Sequence, residues 1–184
     1  MNIKSVLLNR IEKLAKKSYV DREVLNECRD ALEYNKGLIK KDNISHHFCC
    51  FLVPLYLPAK SIFLVHHIKA KSWIPPGGHI DPDETPESTV KREFQEELDY
   101  SLTDEKVSLF DVSIARIEDS RTCVIHYDLW YTILCKEETR FIIEKKEFHD
   151  AGWFPIDEAI KKVSFERIRT VLNKIKKLTL SSPV

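Results

Sequence analysis

The sequence lacks a net charge, because its 29 basic side chains are matched by 29 acidic ones. That balance removes the broad attraction that draws a protein to nucleic acid or to an anionic membrane surface. It also lacks an apolar run long enough to span a bilayer. The longest, FCCFLVPLYLP, is interrupted by Pro54 and Pro58. The first residues, MNIKSVLLNRIEK, hold too short an apolar stretch for a secretory signal. There is no internal repeat and no low-complexity segment. The five cysteines are odd in number and show no metal-binding spacing. Cys49 and Cys50 are adjacent in an apolar run, which suits packing. These absences predict an intracellular, cytoplasmic protein with reduced thiols.

What is present is enough apolar material for a sizeable core, 43% of 184 residues. Residues 3–34 read as helix: Val6, Leu7, Ile11 and Leu14 share a stripe, and Val24, Leu25, Cys28 and Leu32 continue it, in a second helix. Asn35-Lys36-Gly37 offers a stop. The main domain is placed at 44–178, after an N-terminal helical extension at 1–43 and before a tail at 179–184. Residues 48–57 and 61–67 suit strands covered on both faces. Residues 107–117 and 122–135 are further strands. In the latter, Cys123, Ile125, Tyr127, Leu129, Tyr131 and Ile133 share one face, and His126, Asp128 and Trp130 the other, which is expected to meet solvent. A C-terminal helix is predicted over 157–178, broken near Ser164. Together these elements describe an α/β layered domain with a mixed sheet and helices on both faces.

The negative charge is concentrated in GHIDPDETPESTVKREFQEELDY, residues 78–100. Thr85-Pro86-Glu87 is a helix start: Thr85 caps, Pro86 suits the first turn and Glu87 favours the positive end of the helix dipole. Along that helix Glu93, Glu96 and Glu97 lie within about 100° of arc. Val90, Phe94 and Leu98 form a neighbouring apolar stripe, and Arg92 can pair with Glu96. Three like charges on one face repel by a few tenths of a kcal/mol per pair. That repulsion becomes useful when the face holds a divalent cation, for which carboxylate oxygens are the natural donors. A calcium-binding EF-hand loop starting at Asp81 is excluded, because Pro86 stands where its turn glycine belongs and Arg92 where its bidentate Glu belongs.

The run Gly78, five residues, Glu84, seven residues, Arg92-Glu93-Phe94-Gln95-Glu96-Glu97 resembles the Nudix box, G-x5-E-x7-R-E-U-x-E-E-x-G-U, where U is a bulky aliphatic residue. At average residue usage roughly one start point in several million matches by chance. Trp73-Ile74-Pro75-Pro76-Gly77-Gly78 is similar to the family's W-x-P-P-G-G lead-in. Glu147 ahead of Gly152-Trp153-Phe154 is similar to its later segment. The layout covers 44–178; the N-terminal helices match nothing in it. Asp99 and Tyr100 depart from the box's late Gly and aliphatic residue. The Gly ends the helix in a left-handed conformation, which Asp tolerates at a cost on the order of 1 kcal/mol.

The resemblance implies an α/β/α sandwich of Nudix type and hydrolysis of a nucleoside diphosphate linked to another moiety X. It implies Mg²⁺ or Mn²⁺ on Glu93, Glu96 and Glu97 with Glu84 in support, and Arg92 orienting the glutamates. Gly77 and Gly78 allow close backbone approach to phosphate and position the helix. Glu93 or Glu147 takes a proton from the attacking water, with Glu147 an additional ligand or base. The partner is a small nucleotide diphosphate derivative, and the N-terminal helices cover the cleft, form a homodimer contact or cap the sheet.

Outside the box the pattern reads as structural. The pairs His46-His47 and His66-His67 alternate faces on a strand, so neither pair chelates one metal. His79 and His149 are weaker candidates for substrate contact, and Trp73, Trp130 and Trp153 are read as packing. Two other functions stay open: a Nudix-like domain that senses a nucleotide without cleaving it, and an allylic-diphosphate isomerase. The first has no need of three repelling glutamates. The second relies on a catalytic Cys and a histidine-rich metal site, a role left to Cys49, Cys50 and the histidine pairs.

Overall fold

In the computed structural model the described residues are 2–103, 106–117 and 124–180. Helix α1 (Ile3–Ala15) is capped by Asn2, whose side-chain oxygen accepts from the N–H groups of Lys4 and Ser5. Helix α2 (Arg22–Tyr34) is capped in the same way by Asp21, which accepts from Glu23 and Val24. Leu7, Ile11 and Leu14 of α1 and Leu25, Cys28, Ala31 and Leu32 of α2 are buried. The link between the helices is tied to the Leu109–Phe110 backbone. The Lys17 ammonium donates to the Leu109 carbonyl, and the Tyr19 hydroxyl to that of Phe110 at 3.0 Å.

The strands are β1 (His46–Tyr56), β2 (Ser61–His67), β3 (Ser72–Ile74), β4 (Gly77–His79), β5 (Ser108–Arg116), β6 (Ile125–Leu134) and β7 (Phe148–Pro155). The remaining helices are α3 (Pro86–Leu98), α4 (Ile156–Lys162) and α5 (Glu166–Leu180). The sheet runs β3-β2-β1-β6-β5, with β4 pairing β1 and β7 pairing β2. β2 is antiparallel to β1, β3 and β7, and β4 is antiparallel to β1. β1 and β6 run parallel: the Ser45 carbonyl accepts from Ile125 and the Leu55 carbonyl from Cys135, the same offset at both ends. The expected mixed sheet with helices is therefore present, and so is the break between α4 and α5 around Ser164.

The chain forms two compact units, Met1–Phe51 with Gly77–Val90 and Leu109–Tyr131, and Leu52–Pro76 with Lys91–Ser108 and Thr132–Val184. In the first, Phe48 stacks on Tyr127 and Phe51 on Trp130, whose indole N–H donates to Ser113 at 2.8 Å. In the second, Phe63, Phe94, Phe141 and Trp153 form an aromatic cluster, and the Trp153 indole donates to the Thr139 carbonyl.

Three strands were not expected: β3, β4 and β7. Each is short, or interrupted by Gly and Pro, so no alternation marks it. The solvent-facing side expected for β6 is a correction. Asp128 and Trp130 are fully buried, because that face carries core contacts too: Trp130 stacks on Phe51 and bonds Ser113 there. Cys123, assigned to the opposite face, lies outside the described residues.

Candidate active site

Helix α3 begins as its sequence dictates. The Thr85 hydroxyl accepts from the Ser88 N–H at 3.0 Å, while the Ser88 hydroxyl accepts from the Thr85 N–H at 2.7 Å. This is the reciprocal capping arrangement with Ser in place of Glu at the third position. Val90, Phe94 and Leu98 are buried as one stripe, which fixes the helix's rotation and so the direction of its carboxylates. Asp99 ends it in the left-handed region, φ 47°, and its carboxylate accepts from the Gln95 amide at 3.2 Å.

In the second unit Arg92, Glu93 and Glu96 come together on the helix, and Glu147 lies within range of the charge of Glu93. One guanidinium nitrogen of Arg92 lies 3.0 Å from a carboxylate oxygen of Glu93 and 3.0 Å from one of Glu96. The three glutamates differ in setting. The Glu93 side chain is 15% exposed and that of Glu96 60%, while Glu97 as a residue is 4% exposed. Burial pushes the Glu93 carboxyl above its usual range; Arg92 opposes this, and the charges of Glu96 and Glu147 reinforce it.

Glu147 reaches this neighbourhood through a main-chain clamp. The last carbonyls of a helix have no partner within it. Here those of Glu97 and Leu98 accept from the N–H groups of Glu144 and Ile142, at 2.9 and 3.1 Å. The Glu147 N–H then returns to the Glu144 carbonyl, and its own carbonyl accepts from Ile68 at 2.8 Å. Nearby, burial lowers the basicity of His67, opposed by the charge of Glu147.

Glu84, Gly77 and Gly78 belong to the first unit. Glu84 is braced: one carboxylate oxygen accepts from the Asp81 N–H at 3.2 Å and from the Thr89 hydroxyl at 2.8 Å. Gly77 adopts φ +145°, and a Cβ there would sit 2.2 Å from the Cys50 carbonyl oxygen. The close approach that requires glycine at this position is therefore to β1, across the pairing of Phe51 with Gly77. Gly78 pairs with Cys50 in the same short ladder.

Sequence reasoning missed two groupings in the first unit. Arg10 of α1 makes two bonds to Glu87 in the first turn of α3, and Glu87 also accepts from the Tyr131 hydroxyl. Separately, His47, Cys49, His79 and His126 bring one donor atom each within 4.8 Å of one another. Among the described residues this is the group of His, Cys, Asp or Glu donors gathered closely enough to hold an ion. His47 and Cys49 are alternate residues of a strand, a signal that the reading of His46-His47 as a pair passed over. His149, the other histidine singled out as a weaker candidate, lies with its ring centroid 5.5 Å from that of His66.

A cavity of about 520 Å³ in the second unit is lined by Phe94, Tyr100, Lys106, Thr132, Glu137 and Phe141 among others. It includes none of the box carboxylates and so is not the acidic centre.

The profile of the NUDIX domain family matches residues 47–174, and the chain belongs to that family. No curated protein matches it. Solved structures share its fold at low identity. The Escherichia coli dihydroneopterin triphosphate pyrophosphohydrolase is 12% identical with a TM-score of 0.64, covering 73% of this chain and 96% of that one. An Ap4A hydrolase of Caenorhabditis elegans is 15% identical, TM-score 0.62, covering 76% and 100%. A MutT NUDIX hydrolase of Burkholderia pseudomallei is 20% identical, TM-score 0.54, covering 71% and 98%. The protein is thus an enzyme of the Nudix phosphoanhydride-hydrolase class, whose substrates are nucleoside diphosphate derivatives. Among the described residues no helix is long and apolar enough to cross a membrane.

Proposed function

We propose that this chain is a divalent-metal-dependent hydrolase that splits a phosphoanhydride bond of a nucleoside diphosphate linked to another group, by attack of water on phosphorus. The observation that carries the reading is the setting of Glu93, which shares the Arg92 guanidinium with Glu96 and lies within range of the charges of Glu96 and Glu147. Concentrated carboxylate oxygens already drawing one cation, the guanidinium, have the donor chemistry of a Mg²⁺ or Mn²⁺ site. Glu93, Glu96 and Glu97 would hold the ion. When bound, the ion neutralises phosphoryl oxygens and acidifies a coordinated water.

The chain's own residues supply the rest. Arg92 is a positioning residue that fixes the carboxylates of Glu93 and Glu96. A carboxyl group whose burial raises its proton affinity, as Glu93's does, is a better proton acceptor than an ordinary carboxylate. Glu147 is the other candidate base, held at the helix by the 142–144 clamp. Gly77 and Gly78 fix the strand from which the box begins. The isomerase reading fits less well, because the cysteines it invokes, Cys49 and Cys50, are 2% and 0% exposed and a catalytic thiol must meet substrate. The setting of the reaction is the cytoplasm.

The experiment is hydrolysis of a substrate panel with Mg²⁺, with Mn²⁺ and with chelator, run in parallel on Glu97→Gln. The panel includes nucleoside triphosphates, ADP-ribose-like sugars, dihydroneopterin triphosphate and Ap4A, since the last two name fold neighbours. Metal-dependent cleavage that collapses in the variant supports the hydrolase. Metal-dependent nucleotide binding without turnover on any member moves the reading to a sensor.

A further inference from the structure

The four donors His47, Cys49, His79 and His126 meet by topology. β1 carries His47 and Cys49 two residues apart, so both project from one face. On one side β4 pairs antiparallel with β1 and sets His79 directly opposite Cys49. On the other side β6 runs parallel to β1, with Ile125 bonded to the Ser45 carbonyl, and delivers His126 to His47. The three imidazoles lie centroid to centroid at 5.1 Å (His47–His79), 4.7 Å (His47–His126) and 5.5 Å (His79–His126). Gly77 makes this possible, since only a residue without Cβ lets β4 lie so close on Cys50 and Phe51.

We infer that His47, Cys49, His79 and His126 form a tetrahedral transition-metal centre, of the kind that takes Zn²⁺, which clips β1, β4 and β6 together. Three imidazole nitrogens and one thiolate are borderline-to-soft donors. They suit Zn²⁺ and do not suit the hard Mg²⁺ of a carboxylate site, so the two centres would select different ions. At Zn–N of about 2.0–2.1 Å and Zn–S of about 2.3 Å, a tetrahedron separates its donors by roughly 3.3–3.7 Å. The observed spread, within 4.8 Å, closes to that by side-chain rotations of about an ångström.

Two further observations fit. His47 Nδ1 lies 2.9 Å from the Asn43 carbonyl, the outer contact that metal-binding histidines make. That contact fixes the ring and leaves Nε2 as the donor to metal. Asn43 is itself held, its side-chain oxygen accepting from the N–H groups of Ser45 and His46. In addition, His47 and Cys49 are buried while His79 and His126 are half-buried. Four protein donors with no open position make a structural rather than a catalytic centre. On binding, the Cys49 thiol loses its proton to solvent and the thiolate takes its place as ligand.

The inference is independent of the proposed substrate reaction, and its test does not use turnover. Untagged protein, stripped with chelator, is titrated with Co²⁺ as a spectroscopic stand-in and then with Zn²⁺. The expected result is one tightly held Co²⁺ per chain with a thiolate-to-cobalt charge-transfer band and intense tetrahedral visible bands, displaced by one equivalent of Zn²⁺. Zn²⁺ should also raise the thermal midpoint. Cys49→Ser loses the charge-transfer band, and His126→Gln weakens binding by roughly a hundredfold or more, at or beyond the loss that removal of an outer-shell partner causes. His126 is only half-buried at the start of its strand, so that variant keeps the fold if Cys49→Ser does not. Glu96→Gln binds Co²⁺ at this centre as the unaltered protein does. Weak octahedral bands only, or a spectrum and affinity that Cys49→Ser and His126→Gln leave unchanged, would overturn the assignment.

Discussion

Arg10 and Glu87 are 77 residues apart in sequence and meet in a two-pronged ion pair, with nitrogen–oxygen distances of 2.6 and 2.8 Å. The Tyr131 hydroxyl adds a third bond to the same carboxylate at 3.2 Å. The first helix of the chain is thereby fastened to the first turn of the box helix within the first unit. Planar guanidinium against carboxylate is the geometry in which an ion pair adds direction as well as energy.

Removing one side of this pair leaves a half-buried carboxylate without its cation. Arg10→Met is expected to cost about 1–3 kcal/mol at pH 7, less than a fully buried pair would, because both side chains retain some solvent. Burial pushes the Glu87 carboxyl up, but the bonds and charge of Arg10 outweigh it and hold it below its ordinary value of 4.5. A lowered carboxyl contributes its stability in full above that value and loses it as pH falls through the lowered one. Urea unfolding should therefore show a gap between the two proteins that is widest at neutral pH and narrows below about pH 4.5. A gap that stays constant with pH would refute the electrostatic account.

Gly77 and Gly152 should respond very unequally to one methyl group. A Cβ at Gly77 meets the Cys50 oxygen at 2.2 Å and the Phe51 Cα at 2.7 Å, on a backbone at φ +145°. Gly77→Ala should cost more than about 3 kcal/mol, through both overlap and strain. A Cβ at Gly152 meets only the Phe154 ring at 3.5 Å, so Gly152→Ala should stay within about 0.5 kcal/mol. Thermal midpoints of the two variants decide this; equal losses would contradict it.

Asp99 holds a left-handed conformation at the end of α3. Asp99→Gly should stabilise by about 0.5–1 kcal/mol despite the loss of the exposed Gln95 bond, and Asp99→Val should destabilise by at least as much. The reading is the shift in thermal midpoint, and a destabilised glycine variant would show that the Gln95–Asp99 contact outweighs the backbone strain.

Glu93 is the inverse of Glu87. Its carboxyl is raised by burial, so the folded state binds that proton more readily than the unfolded chain, and stability falls as pH rises above the ordinary value of 4.5. Without divalent metal, Glu93→Gln should be more stable than the unaltered protein at pH 7 and no more stable below about pH 4.5. Hydrolysis should fall by about 10²–10⁴-fold in the same variant. Melting curves at pH 4 and 7 check the first expectation, and a variant less stable at pH 7 would sink it.

The legible parts of this protein were those written within a few residues. Thr85, Val90, Phe94 and Leu98 fix the box helix by capping and spacing alone, and Arg92 reaches Glu93 and Glu96 along the same helix, so local sequence suffices. The Asn2 and Asp21 caps likewise divide the N-terminal region into two helices. The illegible parts depend on distant chain. β4 is three residues, Gly-Gly-His, with no alternation to mark it; it exists because β1 accepts it. Trp130 sits on a face that the alternating pattern of β6 alone assigned to water, because Phe51 of β1 and Ser113 of β5, distant in sequence, meet it there. The His47, Cys49, His79 and His126 grouping draws on three strands, and only its His47–Cys49 half leaves a spacing in the sequence; Arg10 with Glu87 draws on two helices and leaves none.

The clamp that ends the box helix has an evolutionary reading. Ile142 and Glu144 bond the Leu98 and Glu97 carbonyls through their own main-chain N–H groups, and any residue except proline brings such a group. The exposed side chains at Ile142, Lys145 and Lys146 are therefore released from the duty of holding the segment in place, whereas that of Glu144 accepts from the Lys146 N–H. Drift at these positions leaves Glu147 moored. Evolution can therefore rewrite this stretch of surface while the backbone that carries Glu147 keeps its course.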